Sequence, residues 1–509
     1  MMRMDVGSHV THNAGRFPDK TALIQNDRNV SYAELDRVSN RIANAIRATG
    51  ASSGDRIAMV MHSTIDWVEA FVGIIKSGCV AVPLNYRLMA HEIAALVADS
   101  GAGIVFVSSD LVGLTSEVSG IDTQVVFDTA DRDGFLADAS SEPCGVEIDR
   151  AWTKVIIYTG GTTGPSKGVM LSHENVFWNT LHEVIDTRMH EDDNTMLLTP
   201  LHHAAALNCW LLPHLYLGAT ATIVPKYDPA LAIATIEKHK VTNAFTPPSM
   251  ARDIFNHPDA AKADLSSFQR WYVGGANLSR RDRNRMHDLI PGVEIFFQYG
   301  LSEAGVIVTV LKEKDYERAP QGSIGRAFLN FDVKIFREDL SDAERGEVGE
   351  IAVRGPSVMK GYHNKPDATA KTFHEGWLRT GDMGSMDENG FVQFHDRLKD
   401  MVKTGGLNVY SQEVEQALLK HASVREAAIL GFPSEKWGEE VVAVIVCQDG
   451  CSEDAAELIA FAKTELAGYK VPKRIVFLGY GEIPINDSGK IAKKELRARL
   501  VPDKEVEDV

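Results

Sequence analysis

The densest set of chemically useful residues is the run Tyr158-Thr-Gly-Gly-Thr-Thr-Gly-Pro-Ser-Lys-Gly168. Thr159, Gly160, Gly161, Thr162, Thr163, Gly164 and Lys167 together suit one task, which is holding a polyphosphate. Glycines let backbone N–H groups approach phosphate oxygens closely. The hydroxyls donate hydrogen bonds, and Lys167 supplies a cation. The spacing is not that of a Walker A loop, which needs Gly, four residues, then Gly-Lys-Ser/Thr. It is not a G-x-G-x-x-G dinucleotide turn either. A surface loop of small residues is the bland alternative that the run alone leaves open.

Four further segments carry reactive side chains. Gln298-Tyr-Gly-Leu-Ser-Glu-Ala304 joins an aromatic ring, a hydroxyl and a carboxylate. Gly376-Trp-Leu-Arg-Thr-Gly-Asp382 places a carboxylate in a turn. Asp396-Arg-Leu-Lys-Asp400 runs into Lys403-Thr-Gly-Gly406, and Asp487-Ser-Gly-Lys490 lies near the end. Each has an ordinary structural reading as a surface ion pair, a helix start or a solvated lysine.

These residues need a scaffold, and the local patterns predict one. Val155-Ile-Ile reads as a buried strand leading into the glycine-rich turn. Ser31-Tyr-Ala-Glu34 is a capping-box pattern, followed by Leu35, Val38, Ile42 and Ile46 at helical spacing. Ile57 to Met61 and Val80 to Val82 read as buried strands. Between them Ser63 and Asp66 open a helix with Trp67, Phe71 and Ile74 on one face. Such alternation predicts an α/β fold with largely parallel sheets. Glu350 to Arg354 and Phe391 to Phe394 alternate polar and apolar residues and are expected to be half-solvated antiparallel strands. A domain boundary is expected at the charged pentapeptide 396–400. Beyond it, Ala427 to Leu430 and Val441 to Val446 predict a small α+β domain.

The chain has 509 residues, 44% hydrophobic and 24% charged, with a net charge of −17. An acidic surface argues against nucleic acid or anionic membrane as the main partner. The five cysteines form no C-x-x-C pair and read as reduced thiols of a cytoplasmic protein. A metal role for Cys447 and Cys451 stays open beside the commoner structural one. Met1 to Gly15 has no apolar signal core, and no apolar run reaches the ~18 residues of a membrane span.

The order and spacing of the five segments resemble the adenylate-forming superfamily of acyl-CoA synthetases, peptide-synthetase adenylation domains and luciferases, over essentially the whole chain. The resemblance implies a large multi-subdomain α/β adenylation domain at 1–396 and a small mobile α+β lid at 398–509. It implies ATP and Mg²⁺ use, an acyl-AMP intermediate, and coenzyme A as thiol acceptor. Thr159 to Lys167 would cradle the β- and γ-phosphates. Tyr299 matches the residue lying along adenine, with Gly275, Ala276 and Gly300 as neighbouring backbone. Ser302 matches a hydroxyl near the α-phosphate, and Glu303 the Mg²⁺-associated carboxylate. Asp382 and Arg397 match the pair on the ribose hydroxyls, and Lys490 the lid lysine of adenylation. Lys399 falls at the hinge; Lys403, Gly405 and Gly406 fall by the pantetheine tunnel. Lys470 and Lys473 are weaker candidates for CoA phosphates.

His203, in Pro200-Leu-His-His203, matches a gate residue beside the acyl and thiol tunnels. Amino-acid-activating relatives carry an aspartate here, so amino acids are disfavoured. Ala204, Ala205, Leu207, Phe245, Val273 and Ile307 fall near acyl-lining segments and are apolar, which suggests a hydrophobic tail. A fatty or alicyclic acid is the leading expectation. Aryl or hydroxycinnamoyl acids, and a carrier protein in place of CoA, are the alternatives. Homodimer formation is left open.

Overall fold

The computed structural model describes residues 4–159, 166–276, 278–485 and 491–500. The chain is α/β, with a large N-terminal α/β part and a smaller C-terminal α+β part, as the sequence leads one to expect. Its Cα packing forms two compact units. The larger comprises Met1–Ala319, Gly325–Val333 and Val353–Leu378; the smaller comprises Pro320–Ile324, Lys334–Ala352 and Arg379–Val509.

In the larger unit, one sheet runs in the order Gly361–Tyr362, Lys167–Ser172, Thr153–Thr159, Val80–Pro83, Arg56–Val60, Ile104–Val107, Thr123–Val126. Its last five strands are parallel, while Lys167–Ser172 folds back antiparallel on Thr153–Thr159. A second set of strands runs Ile307–Leu311, Glu294–Gly300, Arg270–Gly274, Asn243–Thr246, Asn194–Leu197, Thr220–Ile223, Thr21–Gln25. All but Ile307–Leu311 lie parallel. Fully buried runs such as Val155, Ile156 and Ile157 are what a parallel sheet covered on both faces requires.

The helix at Tyr32–Ala48 begins where predicted: Ser31 Oγ accepts from the Glu34 amide at 3.2 Å, and Leu35, Ile42 and Ile46 are buried. The next helix, Ile65–Lys76, is capped by Thr64 and not by Ser63. Ser63 instead accepts from the Leu201 amide at 2.8 Å, a partner invisible to local reading. Trp67 and Phe71 do share a face, with rings stacked at 5.3 Å.

In the smaller unit, residues 382–386 of the strand Trp377–Met386 pair antiparallel with Val392–Arg397. The strand Gly349–Arg354 was expected to be half-solvated, yet it is buried up to Val353. Glu350 is accommodated because Arg379 Nε and the Gly381 amide donate to its two oxygens at 2.8 and 3.0 Å. The C-terminal sheet runs Leu407–Val409, Val402–Thr404, Gly438–Cys447, Val424–Ser434, with Arg474–Phe477 parallel to Gly438–Cys447. Its faces bury separate apolar clusters, one around Val414, Leu418 and Ile445, the other around Leu430, Val444 and Leu496.

Candidate active site

Thr153–Thr159 and Lys167–Ser172 form a hairpin whose last pair is Thr159 opposite Lys167. The strands thus bring Thr159 and Lys167 to one end of the sheet. The turn residues Gly160 to Gly164 lie outside the described residues. Lys167 points its ammonium over the ring of Tyr362, 4.8 Å from the centroid. On the preceding strand, Tyr158 donates to Asp99 Oδ2 at 2.7 Å, which fixes the base of the hairpin.

Tyr299 and Gly300 end the strand Glu294–Gly300. Gln298 lies opposite Gly274 on the neighbouring strand, so the turn at Gly275 and Ala276 emerges beside Tyr299. A Cβ on Gly274 would stand 2.6 Å from the Gln298 carbonyl, and one on Gly300 only 1.9 Å from the Val306 carbonyl. Glycine is needed at both places for backbones to meet. Ser302–Ala304 forms a single 3₁₀ turn, ended by Gly305 at φ +92°. This turn holds Glu303 half-buried, its Oε1 accepting from the Tyr362 hydroxyl at 2.9 Å. The Glu303 carbonyl also accepts from the Met359 amide at 2.8 Å. Burial, and then the Glu303 carboxylate, push the Tyr362 phenol well above its ordinary value, so it is a donor at neutral pH.

Beneath this turn lies a buried polar cluster. Gln298 Nε2 donates to Glu183 Oε2 at 2.9 Å, and Asn179 Oδ1 accepts from the Val306 amide at 3.1 Å. Burial pushes the Glu183 carboxyl up to about 8, against the lowering effect of hydrogen bonds from Gln298 and Cys209.

His203 is half-buried, with its ring 4.3 Å from that of His202. His202 is buried, and burial holds it neutral, far below the usual imidazole range. A π-helix, Ala206–Leu211, follows directly; such turns widen a helix and recur at functional sites. Ala204, Leu207, Val273 and Ile307 are buried and Phe245 is half-buried. Trp210 stacks on Phe245 at 4.1 Å. His214 Nδ1 donates to the Trp210 carbonyl at 2.6 Å, and burial lowers the imidazole to about 4. No group of three or more His, Cys, Asp or Glu side chains suited to a metal occurs among the described residues.

In the smaller unit Asp382 and Arg397 lie opposite each other on paired strands, with Arg397 Nε 3.5 Å from Asp382 Oδ1. Asp382 is buried; Arg397 is the more exposed partner. Asp396, expected in a solvated boundary, is buried and accepts from the Ser411 amide and, at 3.0 Å, from its hydroxyl. Burial pushes its carboxyl up to about 6, with Lys493 opposing. Lys399 lies on the surface just after this anchor. Gly405 and Gly406 form the two-residue turn of a hairpin, with φ of +58° and +78°. Left-handed conformation at both central positions is the demand of a type I′ turn, and it accounts for both glycines without any ligand. Lys403 donates its amide to Glu439 Oε2 at 2.7 Å. Lys470 pairs with Glu413 at 2.6 Å. Lys490 lies outside the described residues.

Residues 10–363 match the AMP-binding enzyme family, and residues 413–490 match the AMP-binding enzyme C-terminal domain. The chain belongs to this adenylate-forming family. It is similar to a feruloyl-CoA synthase from Amycolatopsis, at 35% identity over 98% of this chain and 100% of that protein. It is also similar to a long-chain-fatty-acid–CoA ligase from Mycobacterium tuberculosis, at 33% identity over 92% and 93% of the two chains. Among solved structures, ATP-bound MatB from Rhodopseudomonas palustris superposes with a TM-score of 0.91 at 28% identity, covering 98% of this chain and 99% of that one. These relatives fall in the acyl-CoA ligase branch, and the protein is an AMP-forming acid–thiol ligase that uses ATP. No helix among the described residues is long and apolar enough to cross a membrane.

For this AMP-binding enzyme, sequence reading missed Tyr362, Glu183 and the anchoring of Asp396. Tyr362 sits in a two-residue strand whose partner, Val169, lies far back in the chain. No local periodicity signals such an element. A positive-φ glycine before it, Gly361, was the one available hint.

Proposed function

We propose that this enzyme converts a hydrophobic carboxylic acid into its coenzyme A thioester through an acyl-AMP. One observation supports the reading most: Lys167 and Glu303, distant in sequence, both reach Tyr362. A cation suited to phosphate and a carboxylate suited to a metal thus share one neighbour, which supports the reading.

In the first half-reaction a carboxylate oxygen of the acid attacks the α-phosphorus of ATP. The bond to the β-phosphate oxygen breaks and pyrophosphate leaves. Two anions must meet, so the site acts by charge neutralisation. Lys167 and the turn from Thr159 hold the β- and γ-phosphates. The Tyr299 ring lies along adenine, bounded by the Gly275–Ala276 backbone. Asp382 and Arg397 take the ribose hydroxyls, and Ser302 stands by the α-phosphate. Lys490, carried on the lid, contacts the carboxylate and α-phosphate. Glu303 is suited to Mg²⁺, which takes one or two carboxylates and fills its other positions with water and nucleotide phosphates. When bound, the ion would supply charge neutralisation on the phosphate oxygens.

In the second half-reaction the CoA thiol, losing its proton, attacks the acyl carbon, and the C–O bond to AMP breaks. The domains 1–396 and 398–509 pivot at Lys399, withdrawing Lys490 and bringing in Lys403 and the Gly405–Gly406 turn. His203 gates the acyl and thiol tunnels. The five free cysteines fit the cytoplasm.

The apolar lining around Ala204 and Leu207 favours a fatty or alicyclic acid. A flat aromatic acid is the second reading. It is supported by the stacked Trp210 and Phe245 rings and by the likeness to a feruloyl-CoA synthase. Pyrophosphate release, measured over a panel of fatty, alicyclic and hydroxycinnamic acids with and without CoA, decides between them. The expected result is acid-dependent pyrophosphate and AMP, with thioester only when CoA is present. Adenylate accumulating with CoA untouched points to a carrier-protein acceptor. No AMP from ATP with any acid overturns the proposal.

A further inference from the structure

We propose that Tyr362 is a positioning residue of the adenylation step. Its hydroxyl orients Glu303 and its ring holds Lys167, so that carboxylate and ammonium are presented separately to one nucleotide. This rests on the roles given above to Lys167 and Glu303.

Two opposite charges near each other would ordinarily pair and cancel. Tyr362 offers each a different part of one side chain. The ammonium lies over the ring face, 4.8 Å from its centroid, where the quadrupole is negative. The carboxylate accepts the phenolic O–H through Oε1 at 2.9 Å. A carboxylate held by one oxygen presents the other in a defined direction. Lys167 rests in a weak, easily exchanged contact until phosphate arrives.

The backbone around Tyr362 is a strap fastened to both sides of the site. On the Glu303 side, Ser357 Oγ donates to the Ala304 carbonyl at 2.9 Å and the Met359 amide to the Glu303 carbonyl. On the phosphate-loop side, the Lys360 amide donates to the Met170 carbonyl at 3.0 Å, and the His363 amide to the Gly168 carbonyl at 2.7 Å. Tyr362 itself pairs with Val169, and its amide donates to Thr369 Oγ1 at 2.9 Å. Lys365 and Asn364 both bind Asp99, which also accepts from Tyr158. One short segment therefore sets the position of both charged groups, and Tyr362 is the side chain on it that touches both. Such support around a site residue is what preorganisation requires.

The test uses Tyr362→Phe, which keeps the ring, and Tyr362→Leu, which removes ring and hydroxyl. Calorimetry measures ATP binding to the full-length protein in EDTA and in MgCl₂. Tyr362→Phe is expected to bind metal-free ATP as the wild type does. It should lose about tenfold of the affinity that Mg²⁺ adds, the scale of one hydrogen bond to a charged group. Tyr362→Leu should in addition weaken metal-free ATP binding several-fold. Thioester formation from synthetic acyl-AMP and CoA, which needs neither contact, should stay within about twofold in both variants and so reports an intact fold. An unchanged Mg²⁺ increment in Tyr362→Phe overturns the inference. Equal loss in both half-reactions overturns it too, because the residue is then merely structural. If wild-type protein itself gives no acid-dependent pyrophosphate, the functional proposal fails, and the binding data alone judge Tyr362.

Discussion

Glu183 is the residue whose chemistry departs furthest from what its type suggests. A buried carboxyl pushed up to about 8 is protonated at neutral pH, even though Gln298, the residue before Tyr299, donates to its Oε2 and opposes that rise. The sign of its pH effect follows from proton counting. Between about 4.5, the ordinary value, and about 8 the folded protein keeps a proton that the unfolded chain has lost. Stability from this group is therefore complete below that window and falls as pH rises through it. Glu183→Gln keeps a neutral hydrogen-bonding group and has nothing to lose. We expect the melting temperature of the variant to gain on the wild type from pH 5 to pH 8, by an amount on the order of a few kcal/mol in stability. Parallel melting curves across that range would exclude a protonated Glu183. The groups near it, Asp186 on its own helix and Cys209 and Tyr272 on neighbouring elements, are unaltered in both proteins.

At the scale of elements, the tight turn after Ser302 is sharply constrained. Gly305 has φ +92°, and a Cβ there would lie 2.3 Å from the Ser357 carbonyl. Gly305→Ala should cost at least about 2 kcal/mol through strain and overpacking together, seen as a lower melting temperature. It should also weaken ATP binding, because Ser357 anchors the strap. An unchanged melting temperature would show that the strap yields freely. Elements of this kind explain what could be read in advance. The cap at Ser31, the buried strand at Val155 and the stacked Trp67–Phe71 face are local patterns, and they were legible. The short segments of the site were legible only as an ordered set. What was hidden depends on partners remote in sequence: Ser63 serves Leu201, Arg379 and Gly381 bury Glu350, and Ser411 buries Asp396. Gly405 and Gly406 have a second reason that the sequence reading did not give, since their turn itself demands glycine. Tyr362 escaped because a two-residue strand has no period to detect.

At the scale of the whole molecule, the proposed two half-reactions would ask for two arrangements of one chain. Lys490→Ala should lower overall thioester synthesis by at least about 10²-fold, the effect of losing one transition-state charge contact. Capture of pre-made acyl-adenylate by CoA should be nearly untouched. Lys399→Pro should show the reverse, forming adenylate but failing at the thioester, because proline fixes φ where a pivot is needed. Following each half-reaction separately in both variants checks the pair; equal loss in both steps would show that no pivot operates there. The strap has a consequence for how the enzyme comes into being. Tyr362 follows Glu303 by 59 positions, and Val353–Leu378 is the last stretch of the larger unit to be translated. At roughly 5–20 residues per second, the carboxylate leaves the ribosome several seconds before the phenol that orients it. A nascent chain halted before codon 357 would carry every residue of the glycine-rich turn, yet it would lack Tyr362, which touches Lys167 and Glu303. On the function proposed above, competence for ATP is expected to come late in biosynthesis.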